Sequence, residues 1–259
     1  MNIAVCIKQV PSTETRITVS PATNLVDLKN ITWVISPYDE YALEEALRIR
    51  EKLGGTVMAL TFGPERSRAA LKTALAFGAD SAQFISDEGL TADSYVVAQV
   101  LAAALRRASY DIILCGNKAV DDDMGYVGVA VAELLDLPHV SSVTRLEIDA
   151  GQKSARVNRE IEGATEIIDT PLPAVFTAQK GLNEPRYPTL RGMMLAGKKD
   201  IPTFGLADLG LNQEAVKPLT RVLRASLPPE RKGGRIIDGT LPEAVHELVR
   251  ALREEAKVI

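Results

Sequence analysis

Apolar residues fall into short unbroken runs along the first half of the chain. Ile3–Ile7, Thr56–Phe62, Ser81–Ile85 and Asp111–Cys115 are of this kind. Runs of that length without alternation predict strands buried on both faces of a sheet. Between them the spacing turns helical. Ala42, Ala46, Ile49 and Leu53 repeat on one face with Leu43 and Leu47 beside them, and Gly54-Gly55 closes the segment. Ser36-Pro37 opens it: Ser36 is placed to cap free N–H groups, Pro37 suits the first turn, and Asp39 and Glu40 favour the positive end of the dipole. Further helices are expected at Glu65–Phe77, Thr91–Ala108 and Val127–Leu135. Strand and helix therefore alternate over the first ~140 residues, which predicts an α/β fold with a doubly wound, mostly parallel sheet.

The pattern changes after Pro138. Ser142–Ile148, Ala155–Ile161 and Thr165–Ile168 are short strands separated by turn residues, as in an antiparallel meander, and Ala174–Ala178 is one more apolar strand. Residues 12–35 are mixed. Alternation in Thr15–Val19 suggests a hairpin or an excursion at the sheet edge. A loop with two prolines, Gly181–Leu190, precedes a short helix at Arg191–Ala196. Pro228–Gly234 reads as a linker. It divides a nucleotide-binding unit, 1–225, from an arm, 226–259. In the arm Thr240 and Glu243 form a capping box, and Val245, Leu248, Val249 and Leu252 make one apolar stripe that needs a partner.

Composition narrows the class. In 259 residues, 46% are apolar and 25% charged, the balance of a globular protein. The net charge of −4 carries no basic excess, so nucleic acid is not an expected partner. No apolar run is long enough to span a membrane. Both cysteines, Cys6 and Cys115, sit in strand-like runs. Buried free thiols in a reducing, cytoplasmic-type compartment fit better than a disulfide.

The chemistry concentrates in one loop. Gly116 ends an apolar strand, and the loop runs through Asn117, Lys118 and the triple Asp121-Asp122-Asp123 to Gly128. A strand that delivers a loop onto a helix N-terminus presents unpaired N–H groups to an anion. Nucleotide contact by that backbone, the Asn117 amide and the Lys118 ammonium is one reading. An ordinary βα connection whose acids cap the helix is the other. Neither a Walker loop nor a GxGxxG pattern is present. Three carboxylates cannot all face a phosphate, and they lack the further acids of a magnesium site. Ser36–Asp39 would open a second helix N-terminus on the same crevice. His139 and His246 stand near no nucleophile motif, so no catalytic site and no metal site is expected. Lys198-Lys199 reads as a solvated pair. The long loop at Leu182–Leu190 is expected to be functional.

These stretches resemble the beta subunit of electron transfer flavoproteins over nearly the whole chain. The motifs are Val5–Val10, Ser36–Ala46, Thr73–Asp80, Gly116–Gly128, Arg159–Gly163 and Leu182-Asn183-Glu184-Pro185-Arg186-Tyr187-Pro188-Thr189-Leu190. The resemblance implies a heterodimer with an alpha subunit that holds most of the electron-carrying FAD, and a structural AMP in this chain. By position, the AMP site would use Cys6, Ser36, Pro37, Tyr38, Asp39, Phe62, Gly116, Asn117, Lys118, Ala119, Val120, Asp121, Asp122, Asp123, Met124, Gly125, Tyr126 and Val127. Tyr38 and the chain near Thr13 would approach the flavin's dimethylbenzene side. Glu184, Pro185, Arg186, Tyr187 and Leu190 would lie on a recognition loop for flavoprotein dehydrogenases such as acyl-CoA dehydrogenases. Glu160 would contact the other subunit, and the terminal helix would wrap onto alpha. The implied role is carrying electrons, without bond chemistry of its own, toward a quinone-linked or other acceptor. Ser36 stands where the family often has Asn, and Leu195 where some members have Lys. Bifurcating members bind a second FAD in the AMP position and tend to carry Asp-Gly-Asp. Asp122 adds bulk and charge at that point, which favours AMP.

Overall fold

The computed structural model describes residues 1–214, 216–229 and 233–259. Its elements run β1 (Asn2–Cys6), β2 (Gln9–Pro11), β3 (Trp33–Ile35), α1 (Pro37–Leu53), β4 (Thr56–Gly63), α2 (Arg68–Phe77), β5 (Ser81–Ser86), α3 (Ser94–Leu105) and β6 (Ile112–Gly116). They continue with α4 (Val127–Leu135), β7 (His139–Asp149), β8 (Ser154–Ile161), β9 (Ala164–Pro171), β10 (Ala174–Ala178), α5 (Leu190–Ala196), β11 (Thr203–Phe204) and α6 (Leu241–Arg250). The main sheet has the order β11-β5-β4-β1-β6-β10-β7-β8-β9. It is parallel from β11 to β7 and antiparallel across β7, β8 and β9. The fold is the expected α/β sheet with a meander at one edge.

Alternation along a strand sends neighbouring residues to opposite faces. In β1, Ile3 and Val5 join α1 and α2 on one face, and Ala4 and Cys6 join α3 and α4 on the other. With both faces covered, the central strands have no polar side to show, which is why they read as continuous apolar runs.

Several boundaries differ for local reasons. The segment expected as a helix from Glu65 begins as a 3₁₀ turn, Glu65–Ser67, before α2. The helix expected over Thr91–Ala108 is shorter, because the Asp93 carboxylate accepts from Val96 N at 3.0 Å and starts α3 at Ser94. The hairpin of residues 12–35 is made by its ends: β2 pairs with β3, and Val19 and Val26 form an isolated bridge between them. Lys199, exposed like Lys198, also donates its ammonium to the carbonyls of Ala79 and Asp80 at 2.7 and 3.0 Å.

Ahead of the arm the chain is tied to the α/β unit at Leu219, Thr220 and Ala225, whose N–H donates to Asn24 O at 2.7 Å. Asp93 Oδ2 accepts from Leu219 N and Thr220 N, both at 2.8 Å. Beyond that anchor none of the described residues is buried. The α6 stripe, with Val245, Leu248 and Val249, is exposed within this chain. The Glu243 carboxylate accepts from Thr240 N at 3.0 Å, as the capping box predicts. The linker reading at Pro228–Gly234 falls partly on residues 230–232, which lie outside the described residues. No described helix is long and apolar enough to cross a membrane.

Candidate functional site

The C-terminal ends of β1 and β6 lie side by side, and two helices begin just above them. This is where an open parallel sheet places its ligand crevice. The start of α1 is pulled down onto the end of β6 by Asp39. Its Oδ1 accepts from Gly116 N at 2.8 Å, and its Oδ2 from Lys8 N at 2.7 Å. Gly116 has no room for a side chain. A Cβ there would stand 2.4 Å from Asp39 Oδ1 and 2.8 Å from Tyr38 Cβ. At the far end of the loop, a Cβ on Gly128 would meet Thr177 Cγ2 at 2.6 Å, so α4 also begins pressed against the sheet.

Asp39 is fully buried in use and in charge. Burial pushes its carboxyl up to about 7, although the two backbone bonds from Lys8 and Gly116 pull the other way. Each of its oxygens accepts one backbone N–H within the fold.

Ser36 behaves differently from the sequence expectation. It occupies the N-cap of α1, yet its hydroxyl caps nothing. The residue is 0% exposed, and Oγ has no hydrogen-bond partner. A buried unpaired hydroxyl costs about 1–3 kcal/mol. Tyr126 at the N-cap of α4 also makes no side-chain cap. Two helix N-termini, uncapped by side chains, therefore border one crevice beside an orphaned hydroxyl. A nucleotide phosphate or sugar supplies the acceptors that such donors lack. The crevice therefore offers hydrogen-bond donors that an anionic or hydroxyl-bearing group could pair.

The loop between Gly116 and Val127 is tied down by its charges. Lys8 Nζ reaches Asp121 Oδ1 and Asp122 Oδ2, both at 2.8 Å. Desolvation works against the Lys8 charge, but these two acids outweigh it and raise its affinity for the proton. Lys118 pairs with Asp123 at 2.8 Å. Asp122 Oδ1 accepts from Met124 N at 3.2 Å, so one member of the triple does serve the loop backbone. Asn117 is anchored to the sheet: Oδ1 accepts from Thr177 Oγ1 at 3.1 Å and Ser142 Oγ at 3.3 Å. Ala119 and Val120 carry the chain across, and Gly125, at φ 59°, turns it into Tyr126.

Cys6 and Cys115 are both buried free thiols. The neighbouring Cys6 side chain and burial together raise the Cys115 thiol well above its usual range. Beside the crevice lies a cavity of about 550 Å³. Thr13, Phe62, Val120 and Asp121 line it, with Trp33 under the Arg66 guanidinium, 3.5 Å from its ring centre. The expected residues thus form two groups, Ser36–Asp39 with Gly116 and Asn117, and Thr13 and Phe62 with Val120 and Asp121. Lys8 joins them. Its N–H serves Asp39, and its side chain lines the cavity. Lys8, Thr177 and Ser142 were not legible as site residues, because their partners lie far away in sequence.

On the opposite side of α1, the loop Asn183–Arg186 packs against Glu44, Glu45 and Glu51, and Tyr187 and Leu190 project from it. Glu160, on β8, accepts from Gln179 Nε2 at 3.0 Å and is exposed.

Comparison with known proteins agrees with this geometry. The profile of the electron transfer flavoprotein domain matches residues 23–209. The electron transfer flavoprotein subunit beta of Bacillus subtilis is 42% identical over 261 residues, covering 100% of both chains. The subunit of the same name from Thermoanaerobacterium thermosaccharolyticum is 40% identical, covering 97% of this chain and 98% of its own. The caffeyl-CoA reductase-Etf complex subunit CarD of Acetobacterium woodii is 36% identical, covering 98% of this chain and 99% of its own. The chain belongs to the electron transfer flavoprotein family, as a subunit of the beta type.

Proposed function

We propose that this chain is the beta half of a heterodimeric electron carrier and holds a structural AMP in the crevice between β1 and β6. The observation that carries this reading is the buried, unpartnered Ser36 Oγ at the N-cap of α1. The AMP lies along Ser36–Asp39 and the loop Gly116–Val127, over the thiols of Cys6 and Cys115. It does no chemistry there and fills the site. FAD, held mainly by the alpha subunit, supplies the electron-carrying ring. Tyr38 and the chain near Thr13 face the dimethylbenzene side of that ring.

The arm, residues 226–259, packs on alpha, which covers the exposed α6 stripe. Glu160 contacts alpha from the meander edge. The loop Glu184–Leu190 docks flavoprotein dehydrogenases such as acyl-CoA dehydrogenases. Electrons then pass to a quinone-linked acceptor in a cytoplasmic or matrix-type compartment.

A second FAD in the AMP position is the other reading. The cavity of about 550 Å³ beside the crevice favours it, as room for a ring system. Against it, Lys8 clasps Asp121 and Asp122 at the boundary between crevice and cavity. The test is reconstitution with the alpha subunit. A heterodimer whose flavin is reduced by an acyl-CoA dehydrogenase and reoxidised by a quinone-linked acceptor supports the carrier role. A heterodimer whose flavin is reduced by neither dehydrogenase nor chemical reductant would sink it.

A further inference from the structure

The stretch Asn183–Arg186 is fastened to one face of α1. Arg186 is the centre of the fastening. Its Nε and Nη2 donate to the two oxygens of Glu44 at 2.7 and 3.1 Å. Its Nη1 and Nη2 donate to the two oxygens of Glu51 at 2.5 and 3.1 Å. One planar guanidinium thus bridges two carboxylates about two helical turns apart, a geometry that lysine cannot reproduce. Around it, Asn183 Nδ2 donates to Tyr41 O at 3.0 Å and Glu45 Oε2 at 2.9 Å, and Arg48 Nη2 donates to Glu184 O at 3.1 Å.

The Glu44 side chain is only 3% exposed. Burial alone would push its carboxyl up, but Arg186 and Arg48 more than offset this and hold it below the usual range. A carboxylate this deep is retained only with its counter-charge. Directly after the fastening, Tyr187 is 91% exposed and Leu190 78%. Leu190 opens α5, which is pinned in turn: a Cβ on Gly192 would stand 2.4 Å from Ala76 O of α2. The projecting apolar residues are held from both ends.

We propose that Arg186 is a positioning residue for docking, fixing the Asn183–Leu190 loop on Glu44 and Glu51 so that Tyr187 and Leu190 meet the electron donor already in their bound geometry. This rests on the docking reading of the loop given above. A loop ordered in the free protein pays no ordering cost on association. The effect therefore falls on the encounter with the dehydrogenase and not on the electron step.

The experiment uses the heterodimer as the varied substrate of an acyl-CoA dehydrogenase, with hydrogen exchange of residues 183–190 measured in parallel. Arg186→Ala is expected to raise KM ~10-fold, leave kcat and the bound nucleotide and flavin unchanged, and speed loop exchange. Arg186→Lys recovers only part of the loss. Glu51→Gln, at a half-exposed carboxylate, raises KM ~2- to 3-fold without disturbing Glu44, and decides the matter where Arg186→Ala fails to assemble. Leu190→Ala raises KM on its own, and adding Arg186→Ala to it raises KM little further. If Leu190→Ala raises KM while Arg186→Ala and Glu51→Gln leave it unchanged, the positioning role is overturned and the docking reading stands. If Leu190→Ala has no effect, the docking reading fails, and the positioning role with it. A fall in kcat or a loss of nucleotide in Arg186→Ala also overturns the proposal.

Discussion

Ser36→Ala separates a ligand site from a structural cap by the sign of its effect. The hydroxyl is buried and has no protein partner. In heterodimer stripped of nucleotide, removing it deletes an unpaired polar group whose burial costs about 1–3 kcal/mol. The stripped variant should therefore be as stable as the wild type or more so, by up to that amount. In the loaded protein the hydroxyl gains a partner, and such a bond is worth about 0.5–1.5 kcal/mol. The variant should then bind AMP ~2- to 10-fold more weakly. Urea unfolding of the stripped heterodimer gives the first number and calorimetric titration with AMP the second. The pair refutes the reasoning if the stripped variant loses stability while AMP affinity stays at the wild-type value. Ser36 would then be an ordinary cap whose bond the loaded state does not use.

Other perturbations probe the walls of the same crevice. Gly116→Ala pushes the start of α1 off β6, and overpacking of this kind costs about 1–3 kcal/mol, so urea unfolding should shift and nucleotide content should fall together. Asp39 holds its proton up to about pH 7 in the folded state and gives it up near pH 4 when unfolded. Between those values the native state binds the extra proton, so stability should fall as pH rises, with a slope approaching ~1.4 kcal/mol per pH unit from this group. Asp39→Asn should flatten that slope in a pH series of unfolding curves, and an unchanged slope counts against the buried, protonated carboxyl. Lys8→Ala removes two half-exposed ion pairs, so stability should move by less than ~1 kcal/mol, while nucleotide release measured by stopped flow should quicken several-fold as the loop opens. Asp93→Ala removes both the α3 cap and the anchor at Leu219 and Thr220. It should cost about 1 kcal/mol and speed proteolysis near residue 220.

How much of this was legible in the sequence varies with the physics of each element. The central strands could be read because burial on both faces leaves them no polar position. Helix α4 could be read to its ends, since its apolar run starts where the polar loop stops and breaks at Asp136. Residues 12–35 could not, because β2 and β3 are each three residues long and their partners lie across a long excursion. That α1 begins against the end of β6 could be read from Gly116 and Ser36-Pro37. The internal wiring of the crevice could not, since it depends on contacts over long separations. Lys8 takes Asp121 and Asp122, 113 and 114 residues away in sequence. Lys118 pairs with Asp123 within the loop itself. The failure of Ser36 as a cap was invisible as well. Ser-Pro at a helix start predicts a side-chain cap, and only the three-dimensional surroundings reveal that Oγ is buried without a partner.

The central claim is that this chain holds its own nucleotide. Denaturing the purified heterodimer and quantifying the released small molecules by chromatography tests it directly. The account predicts one AMP and one FAD per heterodimer. Two FAD and no AMP would move the chain to the second-flavin reading. FAD without any second nucleotide would contradict the crevice between β1 and β6 as a binding site.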